Sequence, residues 1–154
     1  METQIQITYR KANLDDIPAI LVVRNSVLEN KLSDPNSITV KDCEDFMVHR
    51  GETWVAEYAD QIVGFSMVDV IDNRVWALFV SPPYEKRGIG KQLHHMMLDW
   101  FFDLGKESVW LGTSPHTRAE VFYQRLGWAF EGPYGDDEVK LRMTREVWNR
   151  SQKS

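Results

Sequence analysis

The order of apolar and polar residues predicts a strand followed by two helices in the first third of the chain. Residues 4–11 alternate between apolar and polar side chains, as in a strand with one buried face. Asn13 is a predicted N-cap, and apolar residues then recur at helical spacing with Arg24 inside the apolar stripe. Thr39 is the predicted N-cap of a second helix, which ends near Gly51.

The middle of the chain reads as three strands and one long helix. The predicted elements are strands at 53–58, 61–70 and 74–80 and a helix at 88–104. A tight turn at Ala59-Asp60 joins the first two strands. The third strand is apolar on both faces, which predicts a central place in the sheet. Gly105 is the predicted C-cap of the helix.

The last third adds a strand, a helix and a closing pair of strands. These elements are predicted at 108–111, 115–126, 128–132 and 138–144. Ser114 is the predicted N-cap of the helix, with Pro115 at its first position. The whole order is seven strands and four helices, with neither an internal repeat nor a linker. We therefore expect one domain over residues 1–147 and a C-terminal tail at 148–154.

Composition limits the classes of partner. The chain has 154 residues, of which 43% are hydrophobic, enough for one packed core. The net charge is −5, and no basic stripe exists outside residues 86–91, so no nucleic-acid partner is expected. Cys43 is the single cysteine, which predicts no intrachain disulfide and a reducing compartment. No signal sequence and no apolar run of ~18 residues is visible, so we expect a cytoplasmic protein without a membrane partner.

One stretch carries the clearest chemical signal. It reads Val80-Ser81-Pro82-Pro83-Tyr84-Glu85-Lys86-Arg87-Gly88-Ile89-Gly90-Lys91 and lies between a predicted strand and a predicted helix. The first N–H groups of a helix lack internal partners and favour anions. Gly88 and Gly90 let a phosphate approach those groups, and the neighbouring basic side chains add positive charge. The stretch therefore predicts a site for a phosphorylated small molecule.

Three other interpretations of this stretch fit less well. A P-loop needs Ser or Thr after its lysine, whereas Gln92 follows Lys91. A dinucleotide fingerprint needs a third glycine, whereas Leu93 stands there. The remaining alternative is a plain turn with two glycines.

The stretch resembles the acetyl-CoA-binding segment of the GNAT superfamily of N-acetyltransferases, which carries Gln/Arg-x-x-Gly-x-Gly/Ala after a strand. Glu85 replaces the first residue of that pattern. A second segment, residues 116–128, resembles the family's later helix, Asn-x-x-Ala-x-x-x-Tyr-x-x-x-Gly-Phe. Ala119, Tyr123 and Gly127 fit it, while His116 stands for the Asn.

The resemblance implies a fold, a co-substrate and a set of contacts. The implied fold is an α/β GNAT fold, a mixed twisted sheet of about seven strands with about four helices on both faces. Acetyl-CoA would be the co-substrate, held in part by backbone groups of the central strand and in part by the turn. The implied cofactor-binding residues are Leu78, Phe79, Val80, Glu85, Lys86, Arg87, Gly88, Ile89, Gly90, Lys91, His116 and Tyr123.

Tyr123 is the candidate catalytic residue. In the family, a Tyr at this motif position often protonates the departing thiolate. The alternative is an aromatic residue that only packs beside Phe122. His116 is either a contact to the CoA arm or a solvent-facing residue in the first turn of a helix. The predicted central strand has no ionisable residue between 76 and 80, so the general base stays open among Glu29, Glu57, Asp69, Asp72 and His116.

The family usually builds its acceptor pocket from the first helices and the last strands. Candidate substrate contacts are Arg24, Glu29, Asn30 and Tyr134. No metal site is expected. Trp54, Trp76 and Trp110 are predicted to be core residues. The acceptor is expected to be a small-molecule or peptide amine, and self-association into a homodimer is left open.

Two functions follow from these residues. The first is acetyl transfer from acetyl-CoA to a primary amine by direct attack. The second is a non-catalytic acyl-CoA-binding sensor domain, which the missing strand base and the changes at Glu85 and His116 would allow. These two functions differ in turnover. A third alternative is an enzyme that uses another phosphate-containing ligand, which would bind ATP or NAD in place of CoA.

Overall fold

The computed structural model describes residues 6–27 and 38–152. The strands are β1 (Thr8–Lys11), β2 (Gly51–Tyr58), β3 (Gln61–Asp69), β4 (Arg74–Val80), β5 (Ser108–Thr113), β6 (Ala129–Tyr134) and β7 (Glu138–Thr144). The helices are α1 (Ile17–Ser26), α2 (Val40–His49), α3 (Ile89–Asp103), α4 (Arg118–Arg125) and α5 (Arg145–Ser151). Short 3₁₀ turns at Leu14–Asp16 and Pro82–Tyr84 precede α1 and α3.

The seven strands form one mixed sheet in the order β1-β2-β3-β4-β5-β7-β6. All neighbours pair antiparallel except β4 and β5, which are parallel. This confirms the predicted mixed α/β fold of seven strands and the central place of β4. The described residues contain five α-helices, one more than predicted.

Local sequence signals explain several element boundaries. Asn13 and Thr39 each form a capping box, with Asp16 and Asp42 as the reciprocal partners. Ala59 and Asp60 both have positive φ, 51° and 65°, as a two-residue turn between twisted strands requires. These three predictions are confirmed.

The start of α4 differs from its prediction. The helix begins at Arg118, and the Thr117 side chain accepts from the Glu120 N–H as its cap. His116 has a φ of 62°, so the chain turns sharply after Pro115 and cannot be helical there. His116 is thus a loop residue and does not lie in the first turn of a helix.

Both chain ends of the described part also differ from the prediction. The first strand begins at Thr8, and residues 1–5 lie outside the described residues. At the other end, α5 spans Arg145–Ser151, capped by Thr144. Trp148 of α5 is buried in the main core, so the boundary expected after residue 147 falls inside a packed helix.

The core has two parts, one on each face of the sheet. The larger lies under α3, where Leu93, Met97 and Phe101 are fully buried. The smaller lies under α1 and α2 around Phe46 and Phe65. This arrangement leaves both faces of β4 covered by helices, while its ends remain accessible.

Candidate functional site

The site begins with a gap between the two central strands. Only Arg74 and Trp110 pair between β4 and β5 within the described residues. Beyond Arg74 the two strands diverge, so the edge of β4 from Trp76 to Val80 has no strand neighbour on that side. Unpaired backbone groups of a strand edge can bind an extended ligand.

A β-bulge changes the direction of one side chain in β4. Val75 pairs with Val68 and Ala77 with Met67, so Trp76 is the extra residue. Its side chain is 36% exposed and stacks on Phe46, with ring centroids 4.5 Å apart. The prediction that Trp76 is a core residue is therefore wrong, because a bulge places it at the surface. Trp54 is buried as predicted, whereas Trp110 is only partly buried.

A cleft of about 960 Å³ opens on the α3 side of the gap. We call it the glycine cleft. It is lined by β4, the 81–91 turn and α4, with the residues Val27, Leu78, Phe79, Val80, Tyr84, Glu85, Lys86, Gly88, Ile89, Gly90, Lys91, His116, Thr117, Arg118, Ala119, Val121, Phe122, Tyr123, Arg125 and Leu126. Eleven of the twelve predicted cofactor residues are in this set, and Arg87 is the one that is not.

The N-terminus of α3 gives the glycine cleft an anion-binding geometry. Gly88 is the N-cap with a φ of 81°, and a Cβ there would have no atom within 4 Å. The first helical hydrogen bond runs from the Gln92 N–H to the Gly88 carbonyl at 3.1 Å. The N–H groups of residues 89–91 therefore precede that bond and are available to a phosphate.

Glu85 does not oppose an anion in this cleft. Its carboxylate accepts from the Arg118 guanidinium at 2.6 Å. The pair joins the turn before α3 to the first residue of α4. Lys86, with a φ of 63°, and Lys91 are exposed at the rim. Glu85 thus departs from the family pattern, but its negative charge is neutralised by Arg118.

His116 lines the glycine cleft from the loop before α4. Its backbone N–H donates to the Glu120 carboxylate at 3.3 Å. That hydrogen bond and the positive φ fix the loop and hold His116, an exposed residue, at the cleft, in the position where the family pattern has Asn.

Tyr123 lies at the bottom of the gap and is only 7% exposed. Burial raises the pKa of its phenol, so the hydroxyl stays protonated. Behind it, buried His94 accepts from the Trp128 indole N–H at 2.9 Å. The Tyr123 ring packs against both, at 6.3 Å from His94 and 5.5 Å from Trp128. The phenol is therefore held in a rigid aromatic environment.

A second cleft of about 540 Å³ opens on the α1 and α2 side of the same gap. We call it the arginine cleft. Its residues are Ile20, Leu21, Arg24, Ile38, Cys43, Phe65, Met67, Arg74, Val75, Trp76, Ala77, Leu78, Phe79, Leu111, Gly112, Thr113, Ser114, Ala119, Tyr123 and Glu138. Of the predicted substrate residues, Arg24 lies here, with its guanidinium carbon 4.1 Å from the centre of the Phe79 ring. Burial lowers the pKa of Arg24.

Of the other predicted substrate residues, only Tyr134 is described, and it does not line the arginine cleft. Tyr134 packs behind the wall of the arginine cleft, its ring 5.3 Å from that of Trp110. Glu29 and Asn30 lie outside the described residues.

None of the candidate bases among the described residues lines the arginine cleft. Glu57 is paired with Arg10 at 2.6 Å. Asp69 and Asp72 both pair with Arg50, and Asp69 also accepts the N–H groups of the turn that follows β3. Glu29 is not described, and His116 lines the other cleft.

Three residues of the arginine cleft that carry a charge or an indole ring were not predicted from the sequence as substrate contacts. They are Arg74, Trp76 and Glu138, and Glu138 is the one carboxylate among the described residues that line this cleft. Nothing in a single sequence shows a bulge in β4 or the pairing of Arg74 with Trp110, so no local signal could have found them.

The two clefts meet across the gap. They share Leu78, Phe79, Ala119 and Tyr123. A ligand in each cleft would approach the other beside the Tyr123 phenol. This is the arrangement that a direct transfer between two bound molecules requires.

No group of three or more His, Cys, Asp or Glu side chains in the described part of the chain could hold a metal ion. None of the helices in that part combines the length and the apolar character needed to cross a bilayer.

Comparison with known proteins gives one family. A family model described as the acetyltransferase (GNAT) family matches residues 19–128, more than half of the chain. No curated protein sequence matches the chain significantly.

Solved structures share the fold at low sequence identity. The PaiA N-acetyltransferase from Thermoplasma acidophilum, in complex with coenzyme A, is 16% identical with a TM-score of 0.80 over 91% of this chain and 99% of that one. The ribosomal-protein-S18-alanine N-acetyltransferase from Escherichia coli is 16% identical with a TM-score of 0.73, covering 90% and 94%. Ard1 from Thermoplasma volcanium is 18% identical with a TM-score of 0.74, covering 90% and 97%.

Proposed function

The chain belongs to the GNAT family of acetyltransferases, and we propose that it transfers the acetyl group of acetyl-CoA to a primary amine of a small molecule or peptide by direct attack. The observation that carries this proposal is the meeting of the two clefts at Tyr123. One cleft has the donor groups for a pyrophosphate, and the other has room for an acceptor. A single cleft, with room for acyl-CoA alone, would favour the non-catalytic sensor domain instead.

The glycine cleft fits acetyl-CoA. The N–H groups of residues 89–91 would hold the pyrophosphate, and Gly88 leaves the approach to them open. The unpaired edge of β4 at Leu78–Val80 would hold the pantetheine amides by strand-like hydrogen bonds. Lys86 and Lys91 make the rim positive. When bound, acetyl-CoA supplies an activated acetyl thioester.

The chemistry needs one bond made and one bond broken. The amine nitrogen attacks the thioester carbonyl carbon, the C–N bond forms, and the C–S bond breaks. The free edge of β4 provides backbone N–H groups near the gap to stabilise the oxyanion. The nitrogen, which becomes positively charged as the C–N bond forms, loses one proton to solvent. Tyr123 donates its proton to the leaving thiolate and regains one from solvent.

The acceptor must be neutral when it attacks. A lysine-type amine near pKa 10.4 costs about 4.6 kcal/mol to deprotonate at pH 7, whereas an α-amine near 7.8 costs about 1 kcal/mol. Glu138 is the one described carboxylate that lines the arginine cleft, so the described residues there offer few groups that can take a proton from the amine. The lower cost of deprotonation therefore favours an acceptor amine of low pKa.

The first experiment is a thermal-shift series with acetyl-CoA, CoA, ATP and NAD at equal concentration. At ~100 times the dissociation constant, a ligand adds about 2.7 kcal/mol to stability. We expect a shift with acetyl-CoA and CoA alone. Thiol release is then measured across a panel of primary amines. Binding without any thiol release would support the sensor function, and no shift with either CoA ligand would overturn the proposal.

Tyr123→Phe tests the acid role. We expect kcat for thiol release to fall about 100-fold, with acetyl-CoA affinity nearly unchanged, because general acid catalysis contributes at least that factor. Tyr58→Phe is the matched control, since Tyr58 is half-buried and lines neither cleft. Unchanged thiol release in Tyr123→Phe above pH 8 would remove Tyr123 from the acid role.

A further inference from the structure

Arg74 has an unusual environment in the arginine cleft. It is the first residue of β4 and is only partly exposed. Its guanidinium carbon lies 4.6 Å from the centre of the Trp110 ring and 5.6 Å from that of Tyr134. The Tyr134 ring in turn rests over Gly112, where a Cβ would come within 2.9 Å of it. These aromatic rings fix the guanidinium without neutralising it.

Arg74 has no acidic partner in the described part of the chain. Seven other basic residues there form ion pairs, but Arg74 does not. Its Nε is buried and has no hydrogen-bond partner among those residues. A buried donor of a charged group without an acceptor is costly, and Nε itself is covered. The two terminal nitrogens of the same guanidinium are not buried, so they are the donors that a ligand in the cleft can reach.

The charge of the cleft points the same way. The protein as a whole carries a net charge of −5. Among the described residues that line the arginine cleft, two are basic, Arg24 and Arg74, and one is acidic, Glu138. A positive cleft on an acidic protein favours an anionic group on the molecule that enters it.

We propose that the acceptor amine carries a carboxylate, which binds the Arg74 guanidinium while the amine reaches the gap beside Tyr123. This inference rests on the proposed acetyl transfer and names the class of its acceptor. A planar, stacked guanidinium matches the two oxygens of a carboxylate better than it matches a neutral carbonyl.

The position of Arg74 also sets the length of the acceptor. Arg74 and Leu78 are four residues apart on β4, which corresponds to about 10–13 Å at a rise of ~3.3 Å per residue with one bulge. The amine and carboxyl carbon of an α-amino acid are only about 2.5 Å apart. An acceptor that spans most of this distance is longer than one α-amino acid. A short peptide with a free C-terminus meets that length, and its α-amine also has the lower pKa.

Matched acceptor pairs test this inference. Triglycine, trialanine and 6-aminohexanoate are each compared with the corresponding carboxamide in the thiol-release assay with acetyl-CoA. In these molecules the carboxylate is distant from the amine, so the two members of a pair have similar nucleophilicity. We expect at least one acid to have kcat/KM about tenfold or more above its amide, mainly through KM, because the charge-assisted contact is lost in the amide.

Variants then assign the preference to Arg74. In Arg74→Gln the preference for the acid should disappear, with acetyl-CoA affinity unchanged in a thermal-shift titration. Arg142→Gln is the control: Arg142 lies on the same half of the sheet, is paired with Glu131 at 3.1 Å, and lines neither cleft. It should keep the preference.

The outcomes separate this inference from the proposed function. Thiol release that is equal within every pair, or faster with the amides, would overturn the carboxylate contact and leave acetyl transfer intact. A preference that survives in Arg74→Gln would also overturn it. Absence of thiol release with every amine, including carboxylate-free ones, would overturn the proposed function and this inference together.

Discussion

The two clefts are built from different parts of the polypeptide. The glycine cleft offers mainly backbone: the N–H groups at the start of α3 and the free edge of β4. The arginine cleft offers side chains, above all those of Arg74 and Trp76. These two residues are distant in sequence from α1 and α2, which also line the cleft. Backbone donors tolerate many sequences, whereas a side-chain pocket changes with each substitution. The glycine cleft can thus bind the same ligand in proteins of different sequence, whereas the ligand of the arginine cleft depends on the side chains of this one protein.

The largest expected effect on acetyl-CoA binding is at Gly88. In Gly88→Val, we expect acetyl-CoA affinity to fall about 100-fold, because a β-branched residue disfavours the φ of 81° and its side chain would project from the backbone of the cradle. Unfolding stability should also fall by about 1–2 kcal/mol from the left-handed strain. Titration calorimetry measures the affinity, and denaturant unfolding measures the stability.

Gly105→Val is the matched control for that substitution. Gly105 lies just past the other end of α3, has a φ of 92°, and also has no atom within 4 Å of a built Cβ. The stability loss should be similar and acetyl-CoA affinity unchanged. If Gly88→Val kept full affinity, the glycine cleft could not depend on its backbone.

Behind Tyr123, which both clefts share, lies the buried side chain of His94, which should make the stability of the protein depend on pH. His94 is 2% exposed, and burial, followed by the charge of His95, lowers its pKa from 6.5 to about 3. Protonation would also place a proton on Nε2, which accepts from the Trp128 indole. The unfolded chain therefore binds a proton first as pH falls. His94 contributes stability that is full above pH 6.5 and is lost progressively toward pH 3.

The expected size of this effect is about 2 kcal/mol of unfolding free energy lost between pH 7 and pH 5. His94→Gln should flatten that slope, since an amide oxygen can still accept from Trp128 but does not titrate. His95→Gln, at the exposed neighbouring position, should retain it. Urea unfolding at several pH values gives the slopes. Parallel slopes for wild type and His94→Gln would show that His94 is not buried in its neutral form.

The sequence predicted those parts of the molecule that depend on local rules. The capping boxes at Asn13 and Thr39, the turn at Ala59-Asp60 and the cradle at Gly88 each follow from neighbouring residues. Tyr123 was singled out as a candidate because it lies in a motif with fixed spacing on one helix, and its catalytic role stays a prediction. Its position at the junction of two clefts could be known only from the structure.

The parts that were missed depend on contacts between distant segments. The bulge at Trp76 arises from the register of β4 against β3, and Arg74 meets Trp110 across a parallel pair. The helix α5 has only seven residues and is placed by the burial of Trp148. Tertiary packing decides such features, and a pattern within one segment does not contain them.

The smallest expected effect concerns the basic rim of the glycine cleft. If the backbone holds the phosphates, replacing both Lys86 and Lys91 by Gln should weaken acetyl-CoA binding only about threefold at low ionic strength, because exposed charges act through screened, long-range attraction. The difference from wild type should shrink further as salt is raised to 0.5 M. Lys41→Gln, an exposed position on α2 outside both clefts, controls for overall charge. A loss of 100-fold that persisted at high salt would mean that the lysine side chains bind the phosphates directly, and the contrast between a backbone cleft and a side-chain cleft would no longer hold.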